Sequence, residues 1–139
     1  MAGTDTLPEI WRPLMRAPSV ETRVCAVCGR PGRVERHHMV KRSAGRLYRH
    51  GAEVPKPTIT LCGLGNNLRG PGGRVWCHGA AHHGLLHFRW VAGGTRDGPY
   101  SLAGPTGGHL EYLFTDGPTP YGEALEMGGW RPLRRWRGC

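Results

Sequence analysis

The chain has little of what builds a large hydrophobic core: two Phe, 8% aromatic residues and 38% hydrophobic residues in a length of 139. A thin core in so short a chain excludes a large self-sufficient domain and calls for a staple such as a bound metal. Acidic residues are also scarce, with 10 Asp and Glu against 19 Lys and Arg and a net charge of +9. This balance favours a polyanionic partner over an acidic small molecule, with a merely soluble surface as the plain alternative. No apolar run reaches the roughly 18 residues of a membrane span, which argues against a membrane partner. The opening Met1-Ala2-Gly3-Thr4-Asp5 lacks the charged-then-apolar order of a signal peptide, so a cytoplasmic setting is expected. Five cysteines in a reducing compartment are not expected to form disulfides, and Cys139 at the last position is the odd one.

What is present is a set of cysteines and histidines in a telling order. Cys25-Ala26-Val27-Cys28 has the two-residue gap that lets one turn aim two thiolates at a single ion. Cys62 and Cys77 complete a set of four, although the fourteen residues between them exceed a standard knuckle, so their pairing rests on the count. The alternative is a group of buried free thiols. A four-cysteine zinc site would be a condition of folding, because structural zinc contributes about 10–16 kcal/mol of apparent binding energy in small peptides.

The histidines suggest a second, more open ion. His78 and His82 stand four apart in a probable helical turn over His78 to His83, which puts both rings on one face, and Gly84 is placed to end that turn in a left-handed conformation. His83 is the reserve ligand. His37 and His38 are neighbours on a predicted strand, Val34 to Val40, so their side chains leave opposite sides of the backbone. Different roles follow: one can bind a metal while the other, neutral near pH 7, takes a proton from water. Standing alone, such a pair would read as well as two merely structural or solvent-exposed histidines as it does as a functional pair.

The remaining elements read as an α+β protein. Residues 1–23 form an irregular arm with Pro8, Pro13 and Pro18, packed by Trp11, and residues 24–91 carry every candidate ligand. Residues 92–127 supply a second hairpin strand and a short helix, and 128–139 form a basic tail with Arg131, Arg134, Arg135 and Arg137. Thr58 to Leu61 is a second predicted strand of the metal-bearing region. The segment from Gly63 to Val75, with five glycines and a proline, is read as a long loop. Leu86, Phe88 and Trp90 alternate with polar residues, as do Leu110, Tyr112 and Phe114, which predicts a hairpin with a long Gly- and Pro-rich connection. A final helix is predicted from Tyr121 to Met127. There are no internal repeats.

Taken in order, Cys25-x-x-Cys28, the strand ending in His37-His38, Thr60-Leu61-Cys62, and Cys77-His78-Gly79 with His82 resemble an HNH endonuclease of the ββα-metal class, of the type found in bacteriophages. The resemblance covers about residues 24 to 91. It implies a small zinc-stapled ββα-metal domain, followed here by the hairpin and short helix. It also implies roles: His37 as first ligand of a catalytic ion, His38 as general base, His78 and His82 as ligands from the helix, and Cys25, Cys28, Cys62 and Cys77 around structural zinc. Magnesium or manganese is the catalytic ion the resemblance implies, although three imidazoles bind zinc or nickel more strongly. Double-stranded DNA is the implied substrate, and phage terminase subunits during genome packaging are the implied protein partners.

One family position departs from the pattern. The Asn that ordinarily precedes the Leu-Cys segment is replaced by Pro57, leaving Asn66 or Asn67 in the enlarged loop, or backbone groups alone, to orient the base. Phosphate contacts are expected from Arg36, Lys41, Arg42, Arg46, Arg49, Arg69 and Arg74, which flank the site in sequence. The rival expectations are a non-catalytic zinc-ribbon protein that binds DNA or a packaging complex, and an inactive nuclease relic.

Overall fold

The structure, a computed structural model, describes residues 3–93, 100–102 and 107–134. It is an α+β protein of short antiparallel strands with two small helices. Strand β1 (Val34–His38) pairs antiparallel with β4 (Thr58–Cys62), so that His37 lies opposite Ile59 and Glu35 opposite Leu61. Because alternate residues of a strand share a face, Glu35 and His37 point one way and Arg36 and His38 the other. Met39 and Val40, read as the end of the same strand, instead leave the ladder as a buried bend, with the Met39 amide held by the Pro57 carbonyl at 3.0 Å.

Helix α1 (Cys77–His82) packs beside this pair. Gly84 adopts φ +74° directly after it, the left-handed cap its position predicts. The loop between β4 and α1 is tied by a bridge between Arg69 and Val75 and one turn over Pro71–Gly73. At its root Gly63 has φ +153°, and a Cβ there would lie 2.7 Å from the His78 Cβ, so glycine lets the loop close against the helix.

A second sheet packs against helix α1 and against the turn at Pro13–Arg16. Strands β5 (Leu86–Ala92) and β7 (Gly108–Phe114) pair in register from Leu86–Phe114 to Ala92–Gly108, giving the predicted hairpin. Strands β6 (Ser101–Leu102) and β8 (Arg131–Pro132) both pair with β7. Thus the start of the basic tail is a sheet edge, while Arg135, Arg137 and Cys139 lie outside the described residues. Helix α2 (Tyr121–Leu125) ends two residues earlier than the sequence predicts. A further hairpin, β2 (Tyr48–Arg49) with β3 (Ala52–Glu53), turns through His50 and Gly51, both at positive φ.

The arm is irregular, made of two short 3-10 turns, and it is buried into the molecule. Val20 bridges Ile59 in parallel, exchanging hydrogen bonds with Thr58 and Thr60. Trp11 stacks on Tyr121 with ring centroids 4.0 Å apart and 8° between planes. Leu14 and Val20 thereby join Val40, Ile59, Leu61 and Leu110 as fully buried side chains, and the core is shared between arm, strand pair and sheet. Among the described residues no helix is long and apolar enough to cross a membrane.

Candidate functional site

Two ligand groups come together in this frame, and both use helix α1. The first is Cys25, Cys28, Cys62 and Cys77, whose sulfurs all lie within 4.8 Å of one another. Cys25 and Cys28 sit in a turn closed by the Gly29 amide on the Cys25 carbonyl at 2.9 Å, and that turn is tied to β4 by the Ala26 amide on the Thr60 carbonyl. Cys62 ends β4 and Cys77 opens α1, with the Cys77 amide donating to the Cys62 sulfur at 3.3 Å. The Cys28–Cys62 sulfur separation of 3.7 Å matches the edge, about 3.8 Å, of a tetrahedron with metal–sulfur bonds of about 2.3 Å. Hydrogen bonds from Cys28, Cys62 and Cys77 hold the Cys25 thiol far below its ordinary range. Cys62 and Cys77 are driven up by Cys25 and Cys28, because further thiolates crowded beside them are unfavourable without a cation. The four-cysteine group is thus positioned to bind a metal ion.

The second group is His37, His78 and His82, whose ligand nitrogens also lie within 4.8 Å of one another. The His37 ring stands edge-on to both others, at centroid distances of 5.1 Å to His78 and 5.3 Å to His82. The Nε2 atoms of His78 and His82 are 3.1 Å apart, the spacing of two adjacent ligands each about 2.1 Å from one ion.

The residue that sequence reasoning missed is Glu35. Its Oε1 lies 2.9 Å from His78 Nδ1 and also accepts the Gly65 amide at 2.6 Å. The His78 hydrogen bond comes first among the causes that hold Glu35 below the usual carboxylate range, so it is an ionised acceptor. A proton on His78 Nδ1 facing that carboxylate leaves the Nε2 lone pair aimed at the cluster, the arrangement that orients metal-binding imidazoles. The signal was available: Glu35 precedes His37 by two on one strand, hence on the same face.

The electrostatics disfavour a proton on His37, His82 and His38. Burial, followed by the fields of His78, His82 and His38, pushes His37 down to about 3. Burial, followed by His78 and His83, lowers His82. His38 is lowered by burial and then by Arg42, Lys56 and Arg36, so at neutral pH it is a free base. Among the described residues no hydrogen bond orients its ring. Neither Asn66 nor Asn67 reaches it with a side chain; the Asn66 backbone carbonyl instead faces His83 Nε2 at 2.9 Å. His83 is not among the three residues whose nitrogens lie together.

His37, His38, His78 and His82 line one open cavity of about 570 Å³ together with Arg36, Lys41 and Arg42. The other expected phosphate contacts stand elsewhere: Arg46 pairs with Glu53 at 3.5 Å, Arg69 donates to the Gly73 carbonyl at 2.8 Å, and Arg49 and Arg74 are exposed. No family model, curated protein or solved structure matches the chain, so the chemistry of the site has to be argued from its own geometry.

Proposed function

We propose that the chain is a metal-dependent DNA endonuclease of HNH type, stapled by zinc at the four cysteines. One observation carries the reading: three imidazoles converge in an open cavity whose walls also hold a fourth, unattached imidazole and three cationic side chains. Four thiolates fill a tetrahedron and leave no position for substrate, as a structural zinc site requires, whereas three nitrogens leave positions open. His37, His78 and His82 would hold a divalent ion, magnesium or manganese by the family resemblance. When bound, that ion supplies positive charge to polarise a phosphate oxygen and steady the departing oxygen.

The chain's own residues do the rest. Arg36, Lys41 and Arg42 bind the charged backbone of double-stranded DNA and seat a phosphate at the mouth of the cavity. His38, neutral and adjacent to the cluster, takes a proton from the attacking water onto a ring nitrogen. Glu35 keeps the His78 proton on Nδ1, so that the opposite nitrogen faces the ion. The test is nicking of supercoiled plasmid with added manganese or magnesium. Cleavage is expected from the native chain and its loss from His38→Ala. A native, zinc-loaded protein that binds plasmid and never nicks it would leave the non-catalytic DNA-binding alternative.

A further inference from the structure

We propose that the cavity wall beside the imidazole cluster is a base-binding subsite, which takes one unstacked nucleobase next to the phosphate held at the histidines. The proposal rests on the nuclease reading for its phosphate end and deepens it: the substrate is a DNA strand with an unpaired or extruded nucleotide. The first observation is His87, which is 6% exposed, lines the cavity, and has a buried Nε2 with no hydrogen-bond partner among the described residues. A hydrogen bond to the Gly84 backbone raises the affinity of this ring for its proton, yet burial outweighs it and keeps the ring neutral. With the proton directed to a backbone carbonyl, Nε2 is an acceptor without a donor. A buried acceptor left unmatched is unfavourable, and an N–H group on a ligand would satisfy it.

The second observation is the wall around that nitrogen. Tyr121 and Trp11 form their stack there, the Tyr121 ring centroid lies 6.4 Å from that of His87, and the Tyr121 hydroxyl is fixed by donation to the Phe88 carbonyl at 2.6 Å. Phe88 links the two ends, since its ring centroid is 6.4 Å from that of His37. The cavity thus has an imidazole and cationic end suited to phosphate, and an aromatic end with one orphan acceptor suited to a flat ring that carries N–H. A nucleotide is the ligand with both parts, and about 570 Å³ falls in the range, roughly 300–1,000 Å³, of pockets that enclose small molecules. A base stacked in a duplex cannot enter such a concavity, so it must be unpaired or extruded. Trp11 and Tyr121 come from the arm and from helix α2, both outside the segment that carries the ligands.

The experiment compares labelled single-stranded hexanucleotides that differ only in a central base or an abasic residue. They are bound to the full, zinc-loaded chain without added magnesium or manganese and followed by fluorescence anisotropy. The base-bearing strand is expected to bind roughly tenfold or more tightly, the size of a stacking contact. A duplex with a one-nucleotide bulge is expected to compete better than a fully paired one. His87→Phe, which keeps the ring and removes the acceptor, is expected to shrink the base preference by several-fold, and His87→Gln to retain most of it. Equal binding of base-bearing and abasic strands by the native chain overturns the subsite whatever the variants do, and an undiminished preference in His87→Phe overturns the role of the acceptor. A base preference without nicking removes the nuclease reading and leaves the subsite, whereas nicking without a base preference does the reverse.

Discussion

Cys77 and His78 are consecutive residues of one short helix, yet they serve two centres built in opposite ways. Successive helical residues diverge by about 100°, which turns one side chain to the thiol group and the next to the cavity. The thiol group is the more enclosed: Cys25, Cys62 and Cys77 are buried, only Cys28 is exposed, and the four sulfurs lie within 4.8 Å of one another, positioned to bind a metal ion. The imidazole group is open: His78 is buried, His82 exposed, and the cavity reaches all three rings. On the proposed reading, the difference teaches that ligand count and access, not proximity in sequence, separate a zinc staple from a reactive centre. It would also make the second depend on the first, because zinc at the four thiols would fix the helix start from which His78 and His82 project.

That dependence sets the largest expected effect. Removing zinc with a chelator, or replacing Cys25 or Cys62 with Ser, should abolish cooperative folding, since about 10–16 kcal/mol of apparent metal binding outweighs the stability of a typical small domain. Circular dichroism melts with elemental analysis check it. A folded, soluble protein with no zinc would break the comparison by making the thiol group dispensable.

The open centre should respond differently, with the fold intact and the chemistry lost. His38→Ala is expected to keep its zinc and its catalytic ion while cleavage falls by roughly 10²–10⁴-fold, the usual size for a general base. His37→Ala should weaken binding of the catalytic ion, with partial recovery of cleavage at excess manganese. Calorimetric titration of manganese into each variant separates them: weakened binding in His38→Ala with native binding in His37→Ala would exchange their roles. Smaller again is Glu35→Gln, expected to cost about 10–100-fold in affinity for that ion with zinc content and melting unchanged. Native affinity in that variant would mean the Glu35–His78 contact of 2.9 Å does not orient the ring.

The two centres were also unequally legible in the sequence. The thiol set could be read from Cys-x-x-Cys and a count, and all four cysteines gather as expected. Period-two alternation exposed the hairpin of β5 and β7, and period-four spacing put His78 and His82 on one face. Glu35 was passed over because a single carboxylate carries no ligand spacing, although strand geometry placed it beside His37. The buried arm was half seen: prolines forbade a long helix, but only tertiary structure shows Trp11 on Tyr121, a contact between residues more than a hundred apart in the chain. The β2–β3 hairpin was hidden because His50 takes a positive φ that its residue type does not announce.

The smallest expected effect separates the cations at the open centre from those on the rest of the surface. Arg42 lines the cavity, whereas Arg74 is exposed in the loop between Cys62 and Cys77 and does not line it. Each phosphate contact releases counterions, so the dependence of log affinity on log salt steepens by roughly one for every contact made. Arg42→Ala should therefore bind duplex DNA a few-fold more weakly at low salt and flatten the slope by about one, while Arg74→Ala leaves the slope within error. Binding isotherms from low to moderate salt, measured without the catalytic ion, check both variants against the native chain. Equal losses from the two would mean that DNA is held by the basic surface at large, and the cavity would then have no special claim on the phosphate.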